Sequence, residues 1–284
     1  MRTVYLNGEY IPENEANVSI FDRGFLFADG VYEVTTVVEG KLIGFDGHIE
    51  RLQRSLNELQ MNHKVDREEM LQIHRELVSC NNIDQGMIYL QITRGNPGDR
   101  DFAFPPSDTP ITIVMFTQDK QVVGTAVETN GLKVVSVDDL RWGRRDIKTV
   151  QLLYPSLAKM EAKARGADDA WMIQDGFVTE GTSNNAYIVK DGKIITRDLS
   201  QDILHGITRK SVLECARLLQ MDVVERPFTL EEAYQADEAF ATSASGFTNP
   251  IVEIDGNKIG GGAPGPVGDK LRGLYLEENL KAAL

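Results

Sequence analysis

Apolar and polar residues follow strand-like and helix-like periods in turn along the chain. Asn7-Gly8 separates two short β-prone runs and predicts a hairpin, because both turn residues must accept positive φ. β-Branched residues fill positions 31–38 and predict a strand. The next apolar residues are spaced as on one face of a helix: Ile49, Leu52, Leu56 and Leu59.

The same alternation continues to the end of the chain. Asp66, with Glu69 three residues later, predicts the capped start of a second helix. Buried-looking strands are expected at 87–93 and 111–116, and a later helix from about Pro155. After Thr208 a helical stripe is formed by Val212, Cys215, Ala216 and Leu219.

A polar stretch without a clear period, residues 118–130, is the best candidate for an interdomain linker. With 284 residues the chain exceeds the size at which a single core usually keeps growing. We therefore expect an N-terminal α/β domain at 1–117 and a C-terminal α/β domain at 131–284. Because strands and helices alternate in both halves, the predicted class is a two-domain α/β or α+β fold.

Composition narrows the possible partners. The net charge of −13 argues against nucleic acid or an anionic membrane as partner, because an acidic surface repels both. No run approaches the roughly 18 apolar residues that a membrane span needs, and no apolar signal core follows Met1. Cys80 and Cys215 form no disulfide framework, and the four histidines lack metal-ligand spacing. We expect a soluble, cytoplasmic protein that acts on small molecules and holds no metal.

The common catalytic signatures are missing, including HExxH, the Walker loop, GxSxG and GxGxxG. A different set of spaced residues occupies 179–209. It resembles the signature of the class IV pyridoxal-phosphate aminotransferases in Glu180, Thr182, Asn185-Ala186-Tyr187, Ile194, Thr196, Leu204, Gly206-Ile207 and Arg209. Segments 21–33, 47–52, 146–148 and 242–245 resemble other parts of that family, with D-amino-acid aminotransferases as the closest subgroup.

The resemblance implies a fold type IV enzyme with two α/β domains, pyridoxal 5′-phosphate at their interface, and a homodimer whose partner subunit helps to close the site. Lys148 would carry the cofactor as a Schiff base and move the proton of the substrate. Tyr32 and Arg100 would contact the substrate. The cofactor would be bound by Arg51, Lys148, Glu180, Asn185, Leu204, Gly206, Ile207, Thr208, Ser243, Ala244 and Ser245.

Each implied role has a physical requirement. A Schiff-base lysine must be deprotonated part of the time, and the preceding Arg141, Arg144 and Arg145 would favour a depressed pKa of Lys148. A carboxylate such as Glu180 pairs with a protonated pyridine nitrogen. Backbone N–H groups at the helix start near Thr208 suit a phosphate. Taken without the resemblance, these residues would be assigned to a solvated strand, a turn and a simple N-cap.

One loop departs from the subgroup. D-amino-acid aminotransferases carry an Arg-x-His pair that holds the substrate α-carboxylate, whereas this chain has Arg100 followed by Phe102. A desolvated carboxylate still needs a cation or several N–H donors. Either Arg100 alone binds the α-carboxylate, or Arg23 or Arg144 binds it instead, or the substrate has no α-carboxylate.

The expected reaction moves an amino group from a D-amino acid of the D-alanine type to 2-oxoglutarate or pyruvate. Branched-chain L-amino-acid aminotransferases, R-selective amine transaminases and aminodeoxychorismate lyases share the scaffold, so the scaffold does not separate these activities. A cofactor-binding protein without turnover would need neither Lys148 nor Glu180, and the presence of both favours an enzyme.

Overall fold

A computed structural model describes residues 1–284 and divides into two compact units. Unit 1 comprises Met1–Val122, Ile147–Gln151 and Ala282–Leu284. Unit 2 comprises Val123–Asp146 and Leu152–Lys281. No helix is both long enough and apolar enough to cross a membrane.

Unit 1 contains a six-stranded antiparallel sheet in the order β2-β1-β6-β5-β3-β4. Its strands are β1 Thr3–Leu6, β2 Glu9–Pro12, β3 Gly30–Val38, β4 Lys41–Ile43, β5 Gly86–Thr93 and β6 Thr112–Asp119. The predicted hairpin is confirmed, since Asn7 and Gly8 both have positive φ between β1 and β2. The long strand β3 lies between β4 and β5 and presents residues of the candidate site.

Three helices accompany this sheet: α1 Arg23–Phe27, α2 Phe45–Glu58 and α3 Arg67–Cys80. Leu52 and Leu56 of α2 are fully buried, and each such side chain contributes about 1.5–3 kcal/mol of transfer free energy. The predicted start of α3 is confirmed, because Asp66 accepts a hydrogen bond from the Glu69 N–H at 3.0 Å.

The segment around Lys148 belongs to unit 1, although we expected it within a C-terminal domain at 131–284. It is irregular rather than a strand, with one isolated bridge between Thr149 and Val31. The Tyr32 N–H donates to the carbonyl oxygen of Lys148 at 3.0 Å, and the Val150 N–H donates to that of Gly30 at 3.1 Å. These bonds to β3 attach the segment to the N-terminal sheet.

Unit 2 contains a nine-stranded mixed sheet with the main order β12-β11-β10-β13-β14-β7-β8-β9, and β15 pairs with β14. The pairs β11–β12, β14–β7 and β7–β8 are parallel, and the others are antiparallel. The strands are β7 Leu132–Asp138, β8 Asp169–Gln174, β9 Phe177–Gly181, β10 Asn185–Lys190, β11 Lys193–Thr196, β12 Val223–Glu225, β13 Glu238–Ser243, β14 Phe247–Ile254 and β15 Asn257–Lys258.

Five helices belong to unit 2: α4 Ala126–Asn130, α5 Leu153–Ala164, α6 Ile207–Leu218, α7 Leu230–Tyr234 and α8 Pro266–Lys281. The buried stripe predicted for α6 is confirmed at Val212, Cys215 and Ala216. The prediction was wrong for Leu219, which is 39% exposed because the helix ends at Leu218. Trp171 and Phe228 meet edge to face in the main core cluster, with ring centroids 6.0 Å apart.

The stretch expected to be a linker at 118–130 is partly regular. Strand β6 reaches Asp119, and α4 begins after Thr125, whose backbone N–H donates to the Glu128 carboxylate at 2.8 Å. Both α4 and the residues before it from Val123 belong to unit 2. A capping box therefore marks the start of a short helix within this polar stretch.

Candidate active site

Lys148 is half-buried beside the first residues of β3. Its backbone N–H lies 3.4 Å from the hydroxyl oxygen of Ser55, and its Nζ lies 4.1 Å from the centre of the Tyr32 ring. No carboxylate of the chain lies within ion-pair distance of this amine. The amine is therefore held next to an aromatic ring and is not neutralised by an acidic side chain.

Tyr32 is itself fixed by aromatic stacking. Its ring lies 5.6 Å from the ring of Tyr89, which in turn stacks on Phe116 at 4.9 Å. Neighbouring strands β3, β5 and β6 contribute these rings, so the stack follows from the strand register. The two residues expected to meet the reacting part of the substrate, Tyr32 and Lys148, are thus adjacent in unit 1.

Arg51 is buried and forms a two-pronged ion pair with Glu33 of β3. The Arg51 Nε donates to Oε1 at 2.8 Å, and Nη2 donates to Oε2 at 2.7 Å. His48 lies 2.7 Å from Oε2 through Nδ1. Burial alone would raise the pKa of Glu33, but Arg51 and His48 lower it to about 2.

His48 is buried as well, and burial lowers its pKa. A carboxylate only accepts hydrogen bonds, so the neutral ring carries its proton on Nδ1 and donates it to Glu33. Sequence reasoning found Arg51 and missed Glu33 and His48. The signal was a glutamate inside a β-branched strand and a histidine three residues before the arginine.

Arg100 is exposed, and its guanidinium carbon lies 5.1 Å from the ring centre of Phe27 and 4.9 Å from that of Phe102. Arg23, which we considered as an alternative carboxylate anchor, is buried and occupied. Its Nε bonds Asp29 at 2.7 Å, and its Nη1 donates to the carbonyl oxygen of Asp101 at 2.6 Å. Arg100 is therefore the exposed guanidinium of this loop.

Glu180 of β9 is buried in unit 2 and accepts three hydrogen bonds. Arg141 Nη1 donates to Oε1 at 2.6 Å, while Asn185 Nδ2 and the Leu204 N–H donate to Oε2 at 2.9 and 3.0 Å. Asn185 also donates to the carbonyl oxygen of Leu204 at 2.9 Å. The structure thus brings together three residues that the sequence singled out separately, Glu180, Asn185 and Leu204.

The three arginines before Lys148 each pair with an acidic residue. Arg144 forms a two-pronged pair with Asp146 at 3.0 and 3.1 Å, and Arg145 lies 3.6 Å from Asp139. Arg141 binds both Asp139 and Glu180. The positive environment that we expected these arginines to give Lys148 is therefore balanced by carboxylates within unit 2.

Helix α6 begins at Ile207 after an N-cap glycine, Gly206, that supplies no side-chain cap. Its first N–H groups are suited to an anion, and Thr208 at the second position is buried. A Cβ at Gly206 would lie 2.2 Å from Asn185 Oδ1, so only glycine fits beside the amide. At the end of β13 and in the loop before β14, residues 243–245 are half-buried.

These donor sets suit pyridoxal phosphate. The start of a 12-residue helix without a side-chain cap offers N–H groups to a phosphate. Glu180 has a carboxylate that protein donors fill at three of its roughly four acceptor positions, which leaves one for a ring N–H. Lys148 offers an amine without an acidic partner.

Comparisons with known proteins agree with this chemistry. D-alanine aminotransferase of Staphylococcus haemolyticus is 39% identical over 272 residues, which cover 96% of each chain. That of Bacillus licheniformis is 38% identical over 284 residues, which cover 99% of this chain and 95% of the relative. Among solved structures, the branched-chain aminotransferase of Thermoproteus uzoniensis with norvaline has a TM-score of 0.86 at 27% identity, with 99% of this chain and 95% of that chain covered.

A further solved branched-chain amino acid aminotransferase, that of T.th., contains pyridoxamine 5′-phosphate. It has a TM-score of 0.90 at 28% identity, with 97% of this chain and 93% of that chain covered. The expected fold type IV α/β class is confirmed by these structural matches. The model of the amino-transferase class IV family matches residues 30–254, which is most of the chain. The chain belongs to the class IV aminotransferases.

Proposed function

We propose that this chain is a D-amino-acid aminotransferase that moves the amino group of a D-alanine-type donor to a 2-oxo acid. As a class IV aminotransferase it depends on pyridoxal 5′-phosphate. The bound cofactor supplies an electron-withdrawing ring that stabilises negative charge at the substrate Cα. The D-alanine aminotransferases that match over nearly the whole chain support the choice of donor.

The observation that carries the proposal is the amine of Lys148. In an acidic chain it is half-buried against Tyr32 with no carboxylate to hold it as an ion pair. Such an amine can bind the cofactor covalently through Nζ and can accept and return the proton at the substrate Cα. Backbone hydrogen bonds to β3 fix its position, which supports reaction on one face of a substrate.

Glu180 would hold the proton of the pyridine nitrogen. Its carboxylate is oriented by Asn185, Leu204 and Arg141, and its fourth acceptor position suits a single N–H donor. Asn185 and Leu204 therefore act on the cofactor through Glu180. A hydrogen bond from Asn185 Nδ2 to the carbonyl oxygen of Leu204 holds the two residues together.

The phosphate would be bound by the N–H groups of Ile207 and Thr208, with Gly206 allowing the close backbone approach. Half-buried Ser243, Ala244 and Ser245 would add further donors from the end of β13 and the loop after it. Arg51 would supply the cation, and Glu33 fixes the plane of its guanidinium.

Substrate recognition is assigned to Tyr32 and Arg100. A guanidinium that lies over the rings of Phe27 and Phe102 keeps its N–H edge for a carboxylate, because cation–π contact uses the face of the group. Phe102 stands where the subgroup has its histidine and would steady Arg100 by stacking instead of donating a second hydrogen bond.

A panel of amino donors tests the proposal. D-alanine, L-leucine and R-1-phenylethylamine are each supplied with 2-oxoglutarate or pyruvate, and the new amino acid is measured. We expect the highest kcat/KM for D-alanine. The branched-chain reaction is the second candidate, because solved branched-chain enzymes share this fold, and preference for L-leucine would replace our proposal by it. Preference for the amine would remove the carboxylate-binding role of Arg100.

A homodimer is the proposed assembly. Helix α5 exposes three large apolar side chains at helical spacing, Leu153, Leu157 and Met160, with exposed fractions of 76%, 56% and 60%. Such a stripe is typical of an interface. Leu157→Asp should shift the mass measured by light scattering to that of a monomer, while Leu218→Asp on α6 serves as the exposed control. An unchanged mass for Leu157→Asp would exclude this face. The expected cytoplasmic location stays a prediction for cell fractionation.

A further inference from the structure

Within unit 2, Glu180 is the last of four side chains of alternating charge, which together form a charge relay. Arg141 donates to Glu180 with Nη1, and it grips Asp139 with Nε at 2.9 Å and Nη2 at 2.7 Å. Asp139 also accepts from the Thr179 hydroxyl at 2.6 Å and lies 3.6 Å from Arg145 Nη1. The order of charges is therefore positive at Arg145, negative at Asp139, positive at Arg141 and negative at Glu180.

The relay is enclosed in protein. The side chains of Asp139, Arg141 and Glu180 are 0%, 12% and 4% exposed. Ionising a carboxylate in such a place is costly unless a cation compensates it. Burial and Asp139 raise the pKa of Glu180, and Arg141 opposes both. Arg141 supplies the only cationic donor to Glu180, because its other two donors, Asn185 and the Leu204 N–H, are neutral.

We propose that Arg141 is a positioning residue that keeps Glu180 ionised and oriented for the ring nitrogen of the cofactor. The inference rests on the proposed role of Glu180. It adds Arg141 to the residues that act on the cofactor through Glu180. Thr179 and Arg145 contact Asp139 and fix its carboxylate.

Charge and orientation can be separated within the relay. Asp139 occupies two N–H groups of Arg141 that face away from Glu180, so the guanidinium cannot turn without breaking a two-pronged pair. A lysine at position 141 would keep the charge but lose the fork. A methionine would keep much of the volume and lose the charge. An asparagine at 139 would keep the shape of Asp139 and remove a negative charge near Glu180.

Removal of the charge of Arg141 and removal of the charge of Asp139 should have opposite effects on the pKa of Glu180. Removal of an adjacent opposite charge shifts the pKa of a carboxyl by about 1 to 3 units, so Arg141→Met should move the shared proton from the ring nitrogen to Glu180. Removal of the like charge in Asp139→Asn should leave the proton on the ring nitrogen. If the two substitutions acted only by disturbing the packing, Arg141→Met and Asp139→Asn would change the protonation of the ring nitrogen in the same direction.

The experiment uses holoenzymes loaded with pyridoxal phosphate that carries ¹⁵N in its ring, because the ¹⁵N chemical shift distinguishes a protonated from an unprotonated pyridine nitrogen. We expect wild type and Asp139→Asn to report a protonated nitrogen at neutral pH. Arg141→Met should lower the ratio of protonated to unprotonated nitrogen at least 10-fold, and Arg141→Lys should restore most of it. Circular dichroism in the aromatic region checks that each variant is folded.

Glu180→Gln distinguishes a failure of the role proposed for Glu180 from a failure of the role proposed for Arg141. If this variant leaves the ring nitrogen protonated, the proposed role of Glu180 is wrong and the relay falls with it. If Glu180→Gln removes the proton and a folded Arg141→Met keeps it, only the relay is wrong. If Arg141→Met does not fold, Arg141→Gln, which also removes the charge, decides: loss of the ring proton supports the proposal, and its retention overturns it.

Discussion

Replacing Glu33 with Gln should destabilise unit 1 strongly, because it leaves the buried Arg51 without its charge partner. Glu33 is 3% exposed and receives charge-assisted bonds from Arg51 Nε and Nη2 and a bond from His48. Gln keeps the shape and one acceptor oxygen but cannot balance the guanidinium.

The magnitude follows from the pKa of Glu33. Its fall from 4.5 to about 2 corresponds to about 3 kcal/mol of folding free energy above pH 4.5. Because the folded-state pKa is depressed, this contribution is present at neutral pH. It is lost as the pH falls from 4.5 toward 2, at about 1.4 kcal/mol per pH unit.

Both tryptophans, Trp142 and Trp171, belong to unit 2, so their fluorescence does not report on unit 1. Amide hydrogen exchange of β3, followed by mass spectrometry, measures the local opening free energy of unit 1 directly. At pH 7 the β3 amides of Glu33→Gln should open with about 3 kcal/mol less free energy than those of wild type. At pH 3.5 the difference between the two proteins should shrink by about 1.4 kcal/mol.

A matched control is the exposed ion pair between Asp46 and Arg67 at the surface of α2 and α3, with exposed fractions of 59% and 42%. Asp46→Asn should leave the exchange of β3 unchanged, because solvent screens such pairs. Glu33 does not stabilise unit 1 through its charge if the β3 amides of Glu33→Gln exchange like those of wild type at pH 7. The same conclusion follows if the difference in opening free energy between the two proteins does not shrink at pH 3.5.

Three further variants test the site. Arg100→Ala should raise the KM for D-alanine at least 10-fold and leave activity toward R-1-phenylethylamine nearly intact, since the amine has no carboxylate; equal losses would make Arg100 a loop-organising residue. Gly206→Ala should weaken cofactor retention in dialysis against phosphate, because a Cβ would lie 2.2 Å from Asn185 Oδ1. Retention equal to that of wild type would show that the phosphate does not need a glycine at position 206. Glu180→Gln should lower kcat roughly 10- to 100-fold, as expected for a lost charge-assisted bond of about 1.5–3 kcal/mol, and unchanged turnover would refute its role.

Local patterns were sufficient for much of the fold. The Asn7-Gly8 turn, the Asp66 cap of α3 and the stripe of α6 depend on residues within a few positions of one another. A sequence signature also marks Glu180, Asn185 and Leu204, which strands β9 and β10 and the loop before α6 bring together.

Contacts between segments far apart in the sequence could not be predicted from local patterns. The residues around Lys148 join unit 1 through hydrogen bonds to β3, more than a hundred residues earlier, and nothing local to them indicates that partner. Short α4 was missed because its five residues are too few to show a hydrophobic period. The capping pair Thr125 and Glu128 was the available signal.

Charge partners were the least predictable part of the site. Arg141 was read as a neighbour of Lys148 because it is close in sequence, yet it binds Glu180, 39 residues away. Glu33 and Arg51 are likewise 18 residues apart on a strand and a helix. A sequence shows that charges exist, whereas their pairing depends on tertiary geometry that only the folded chain supplies.

The central claim is that Lys148 carries the cofactor, and reduction of the holoenzyme with borohydride tests it most directly. Reduction fixes the bond between lysine and cofactor, and digestion followed by mass spectrometry locates the pyridoxyl phosphate. We predict the label on Lys148 alone. A label on Lys159 or Lys163 of α5 would contradict the account.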